Sequence, residues 1–196
     1  VGEIFARFQE VSWISTMRPG LFDANGYFLK TAYRPGFSRA AFLDGLHGSF
    51  INRRGYFIQQ ESTFWRRSLW EKAGAKLDDR FQYAADFYLW QEFAKHTDLV
   101  KVYSFLGGYR SHGDQVTGEP GAYRAELPGT DKPPAGLLVL KKIMRNFPYT
   151  KKLFFNRAKG FPFIQMLGLD WDRLRGRVIE WSYPENEWKM RSAPIL

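Results

Sequence analysis

Cysteine is absent from the 196 residues, so disulfides and thiolate metal sites are excluded. That suits a cytosolic chain, although exported proteins also do without cysteine. Histidine is scarce: of His47, His96 and His112, only His112 has polar company, and the other two read as structural. No apolar run approaches the roughly 18 to 20 residues needed to cross a bilayer. Nor do the first ten residues read as a signal peptide, because Glu3, Arg7 and Glu10 recur at helical spacing. The chain opens without Met and already within an amphipathic pattern (Ile4, Phe5, Phe8, Val11), as expected of a fragment or processed chain that starts mid-domain.

Acid is missing from one segment. Residues 1–131 hold 16 Lys/Arg against 15 Asp/Glu, whereas residues 132–169 hold eight Lys/Arg and no acid. Nearly all of the net charge of +9 therefore sits in that segment. A solvated basic face and a polyanionic partner both account for it.

What the chain has in quantity is aromatic and apolar side chains, 18% and 44% of its residues, enough to build a core. The pattern predicts a short helix over 1–10, a strand over 11–16, and turns at Arg18-Pro19, Asn25-Gly26 and Arg34-Pro35. Ser38 caps a helix over 38–46, with Phe42 and Leu43 turned inward. A strand over 56–65 and a helix over 66–73, ended by Gly74, come next. Asp86 opens a second helix with the stripe Phe87, Trp90, Phe93 and Ala94. A strand over 99–105 is broken by Gly107-Gly108. Strand, helix, helix, strand is an α/β arrangement, with chemistry expected at the loop ends 59–62, 84–87 and 110–112. A Gly/Pro-rich linker then leads to the basic segment, placing a boundary near residue 130.

Three constellations could carry chemistry. Gln59, Gln60, Glu61, Ser62 and Thr63 put five polar side chains in a row into an expected buried strand, beside Trp65. Unpaired, each would cost about 1–3 kcal/mol; they satisfy one another or a ligand, and sugar hydroxyls with a stacking Trp face suit such a surface. Asp86, behind the small pair Ala84-Ala85, is either a helix cap or a carboxylate that a bulky ligand can reach to surrender a proton. The helix dipole would keep it ionised. Arg110 and His112 lie two apart, on one side of an extended chain, where Arg suits a diphosphate and His a phosphate or divalent metal.

Taken in order, the runs 57–74, 77–78, 83–90 and 106–112 resemble glycosyltransferase family 2, the inverting enzymes of the GT-A (Rossmann-like) fold. The run 60–67, Gln-Glu-Ser-Thr-Phe-Trp-Arg-Arg, is similar to a bacterial subgroup of polysaccharide-biosynthesis enzymes. The resemblance covers about residues 1–120. It implies Asp86 as the base that deprotonates the acceptor hydroxyl, and Gln59, Gln60, Glu61, Ser62 and Trp65 around the acceptor and donor-sugar pocket. It places Arg110 and His112 on the diphosphate and metal side, with His112 the candidate ligand to Mg²⁺ or Mn²⁺. The partners it implies are a nucleotide-sugar donor and a glycan or lipid-linked acceptor.

The family's Asp-x-Asp donor motif is not in this sequence in the expected context; Asp170 and Asp172 have the spacing but lie far downstream. The expectation is thus the C-terminal, acceptor-side portion of a GT-A domain over 1–130, inactive alone, its nucleotide-binding half lying upstream or on another chain. A basic, partly helical extension over 131–196 would follow. Leu137, Leu138, Ile143 and Met144 beside Lys141, Lys142 and Arg145 could lie on an anionic membrane surface or cover the sheet, so the expected location is cytoplasmic, peripheral on the membrane's inner face in the first case. The rival reading is a non-catalytic module that binds nucleic acid or another polyanion through 132–169.

Overall fold

The computed structural model describes residues 1–34, 36–43, 58–113, 120–127 and 175–194. The elements run α1 (Gly2–Arg7), β1 (Trp13–Thr16), β2 (Gly20–Phe22), β3 (Phe28–Thr31), α2 (Arg39–Leu43), a 3-10 turn (Gln60–Ser62) and β4 (Thr63–Trp65). They continue with α3 (Arg67–Lys72), α4 (Ala85–His96), β5 (Val100–Val102), β6 (Gly108–Arg110), α5 (Pro120–Glu126), β7 (Arg175–Ser182) and β8 (Glu187–Pro194). The chain is a mixed α/β protein with two sheets.

The larger sheet has the order β4-β1-β5-β7-β8, with β1, β5 and β7 mutually parallel and an antiparallel strand at each edge. The smaller has the order β3-β2-β6. The pleat sorts the large sheet's two faces. Ile14, Val100, Val102 and Ile179 point to one side and pack on Ile4 and Val11. Trp13 and Leu99 point to the other, under Leu69, Trp90, Phe93 and Phe42 from the helices. Trp13 stacks on Trp90 at 5.5 Å between ring centroids and meets Phe93 edge-on at 5.4 Å, so an aromatic cluster fastens α4 to β1.

Lys101 shares the Trp13 face and is fully buried in β5, its Nζ donating to Ser15 Oγ at 3.3 Å. Burial, aided by the nearby Arg34 charge, pulls its pKa down to about 7.

Several expectations change. The strand over 56–65 is reduced to β4 preceded by the 3-10 turn, with residues 56 and 57 outside the described part. The Gln59 carbonyl accepts from the Ser62 backbone N–H at 3.2 Å and from Thr63 Oγ1 at 2.7 Å, and these local bonds displace the ladder. Leu43 is 51% exposed, since neighbouring helical positions diverge and Ala41 and Phe42 take the inner face. Gly108 starts β6 instead of breaking a strand. A Cβ on Gly107 would stand 2.5 Å from the Glu61 carbonyl, and one on Gly108 2.6 Å from that of Gly20, so both glycines permit close approach.

Residues 175–194, expected in a helical extension, form a hairpin that completes the large sheet. Val178 and Ile179 are buried beside β5, and Gly176 lies where a Cβ would collide with the Phe37 carbonyl. As expected, α3 stops at Gly74, whose φ of +95° turns the chain so that the Ala75 N–H returns to the Trp70 carbonyl at 2.9 Å.

Candidate functional site

A cleft of about 670 Å³ opens beside the 3-10 turn, the first turn of α4, β6 and α5. β4 runs antiparallel to β1, and α4 leads back into β5, so these parts gather at the carboxyl end of the parallel strands. That is where α/β sheets bind ligands. Trp65, Trp70, Trp90, Tyr83, Tyr109 and Tyr123 supply its aromatic walls, with Leu21, Leu77 and Leu89 between them. Its polar lining is Arg34, Gln59, Gln60, Glu61, Gln82 and Asp86.

Asp86 sits in the first turn of α4 without capping it. Its Oδ1 accepts from the Phe87 backbone N–H at 2.7 Å and from the Tyr123 hydroxyl at 3.2 Å. Burial raises its pKa above the ordinary carboxylate value, with Glu61 adding to the rise, while the Phe87 and Tyr123 bonds partly oppose it. Burial and the neighbouring Asp86 charge push the Tyr123 phenol far up, so it is a firm proton donor to that carboxylate.

A carboxylate from another element holds the chain just before α4. Glu126 of α5 accepts the backbone N–H groups of Gln82 at 3.0 Å, Tyr83 at 2.8 Å and Ala84 at 2.8 Å. Desolvation opposes its charge, yet the three N–H bonds prevail and hold its carboxyl below the usual value. A distant carboxylate thereby ties down the turn leading into α4 and sets its charge at the positive end of that helix, while Asp86 keeps the Phe87 N–H.

Gln59 is buried, lines the cleft, and among the described residues has no hydrogen-bond partner on either Oε1 or Nε2. Trp90 Nε1 is likewise buried and without a partner beside the cleft. A donor, an acceptor and a second donor are thus held out of water with nothing to bind, a cost that a ligand's hydroxyls or amide would remove. Trp65 stands edge-on to Trp90 at 5.6 Å and to Phe93 at 5.5 Å, part core and part wall.

The cleft brings together Gln59, Gln60, Glu61, Trp65 and Asp86. Ser62 is buried behind it, its hydroxyl directed at the Gln59 carbonyl, and does not line it. Arg110 and His112 are exposed at the end of β6, and the residue of that segment lining the cleft is Tyr109, on the opposite pleat. Arg66, in the 60–67 run, has a structural task. Its Nη2 donates to the Phe5 carbonyl at 2.6 Å and its Nε to that of Val11 at 2.8 Å, with the guanidinium 4.9 Å from the Phe5 ring centre.

The divalent ion that His112 was expected to bind has no ligand set among the described residues, where no three His, Asp or Glu gather. Asp170, Asp172 and the basic segment 132–169 lie outside the described residues, so the readings placed on them have no structural counterpart. Among the described residues no helix is long and apolar enough to cross a membrane.

Tyr123, Glu126, Arg34 and Tyr109 escaped the sequence reading. Residues 118–121 read as linker, but Pro120 is the first residue of α5, a position proline favours. Tyr123 and Glu126, three apart, share the face turned to α4. Comparison with protein-family models, curated proteins and solved structures finds no match to this chain.

Proposed function

We propose that this cleft is the acceptor-side half of an inverting, GT-A-type sugar transferase, with Asp86 as its catalytic base. The observation that supports the reading is a half-buried Asp86 carboxylate lining an aromatic cleft in which, among the described residues, the Gln59 amide has no hydrogen-bond partner. An acceptor sugar would stack on the Trp and Tyr walls and bond Gln59 and Trp90 Nε1. Asp86 takes the proton of the acceptor hydroxyl as that oxygen forms its bond to the anomeric carbon. The bond from that carbon to the nucleoside diphosphate breaks with its electron pair going to the diphosphate, and the configuration inverts. A carboxylate whose pKa burial has raised is a better base than an exposed one.

The described residues lining the cleft offer no ligand set for the Mg²⁺ or Mn²⁺ the resemblance implies, and we expect this chain alone to show no transfer. Acceptors are a glycan or a lipid-linked sugar, met on the cytoplasmic side, at the membrane surface for the lipid-linked case. In the complete enzyme, Asp86→Asn should lower the transfer rate by about 10²–10⁴-fold while donor binding persists. Transfer within about threefold of wild type would overturn the assignment.

A further inference from the structure

The carboxylate proposed as the base is held from outside its own helix. Within α5, Tyr123 and Glu126 both face the start of α4. The Tyr123 hydroxyl reaches Asp86 Oδ1, and the Glu126 carboxylate gathers three successive N–H groups just before it. A third tie runs the other way, as the Tyr88 hydroxyl of α4 donates to the Glu126 carbonyl at 3.2 Å. Tyr88 is itself stacked on Phe81 with ring centroids 3.5 Å apart, so the loop leading into α4 is gripped from both sides.

We propose that Tyr123 and Glu126 are positioning residues for Asp86, making α5 a strap whose docking sets both the place and the proton affinity of that carboxylate. The role of Asp86 as base rests on the function proposed above; the attachment of α5 to it does not. Two separable tasks follow from the geometry. Glu126 fixes the backbone of 82–84 and hence the point from which Asp86 projects. Tyr123 fixes the carboxyl rotamer by donating to one oxygen, leaving Oδ2 for an acceptor proton. The hydroxyl also stabilises the charged form, against the burial and the Glu61 charge that favour the neutral one. The other ionisable groups lining the cleft are Arg34, Tyr83 and Tyr109, of which Tyr83 is itself bonded through its backbone N–H to Glu126.

The test uses the chain as it stands and needs no turnover. Carbon-13 carboxyl NMR titration of Asp86 is compared in wild type, Tyr123→Phe and Glu126→Gln, with amide hydrogen exchange recorded alongside. In Tyr123→Phe the Asp86 midpoint should rise by about half a pH unit or more, because a donor to the charged form is lost. In Glu126→Gln the amides of 82–84 should exchange at least about tenfold faster, while those of β5 keep wild-type protection, which separates loss of the strap from loss of the fold. An unmoved midpoint in the first variant, or unchanged exchange at 82–84 in the second, overturns the proposal. In the complete enzyme the acid limb of kcat/KM should move up with the midpoint in Tyr123→Phe. If Asp86→Asn proves active there, the base assignment fails while the titration still decides whether α5 controls the carboxylate.

Discussion

Replacing Lys101 with methionine should stabilise the protein at neutral pH and flatten the pH dependence of its stability. The Lys101 ammonium lies fully buried in the middle strand of the large sheet, with one bond to Ser15 Oγ and the Arg34 charge nearby. Burial first, and Arg34 second, bring its pKa from 10.5 to about 7. In the unfolded chain the amine stays protonated up to its ordinary value. At roughly 1.36 kcal/mol per pH unit, the charged form costs the folded state on the order of 5 kcal/mol. The folded state binds the proton less tightly, so the penalty is complete below about pH 7. It shrinks as pH rises from there and vanishes above the unfolded value. Wild-type stability should therefore climb through the mildly alkaline range.

Methionine keeps the unbranched stem and discards the charge, at the cost of about 1 kcal/mol for the Ser15 bond. With the folded group half protonated near pH 7, a net gain of about 3 kcal/mol at neutral pH follows. Urea unfolding followed by tryptophan fluorescence, at about pH 6, 7.5 and 9, measures both proteins under the same conditions. Every other titrating group is common to the two and drops out of the difference. A variant no more stable than wild type near pH 6, or a gap between the two that stays constant up to pH 9, would refute the reasoning.

Gln59→Leu should stabilise the ligand-free chain by about 1 kcal/mol, because it removes a buried amide with nothing to bind, and should weaken sugar binding by tenfold or more. Urea midpoints and tryptophan-fluorescence titration with oligosaccharides check the two halves, and a destabilised variant would show the amide to be satisfied in solution. Arg66→Met should cost about 2–4 kcal/mol, since the guanidinium bonds main-chain carbonyls of Phe5 and Val11 that would be left unpaired. Its neighbour Arg67, exposed and paired only with Glu71, should change the urea midpoint by less than about 0.5 kcal/mol when made Ala. Equal losses from the two arginines would contradict this division.

Short-range signals were the legible ones. The run around Trp13 and Ile14 announced a buried strand, Gly74 the end of α3, and Trp90, Phe93 and Ala94 the inner stripe of α4; each depends on residues within a turn or a pleat of one another. Gln59, Trp65 and Asp86 could be grouped because α/β folds place chemistry at their loop ends and because the order of the runs that hold them resembles a sugar-transferase family. What escaped depends on partners far along the chain. Nothing local to Asp86 reveals that Glu126 of α5 holds the backbone N–H groups of 82–84 or that Tyr123 reaches its carboxylate. Which of Tyr109 and Arg110 faces the cleft follows from the pairing of β6 with β2, not from the segment itself. Residues 175–194 carry charges and a turn between two tryptophans, Trp181 and Trp188, whose edge-on pairing at 5.3 Å exists only once the hairpin closes.

The place of β7 also orders events during synthesis. β5 has β1 on one side and β7 on the other, joined through Lys101 and Val178. A nascent chain that has emerged as far as Leu127 already contains every residue lining the cleft, yet β5 still presents an open parallel edge. Closing that edge awaits residues 175–194, a non-local pairing of the slow kind. A ribosome stalled before Arg175 would therefore leave β5 with an unpaired parallel edge, the kind of surface on which another chain can add.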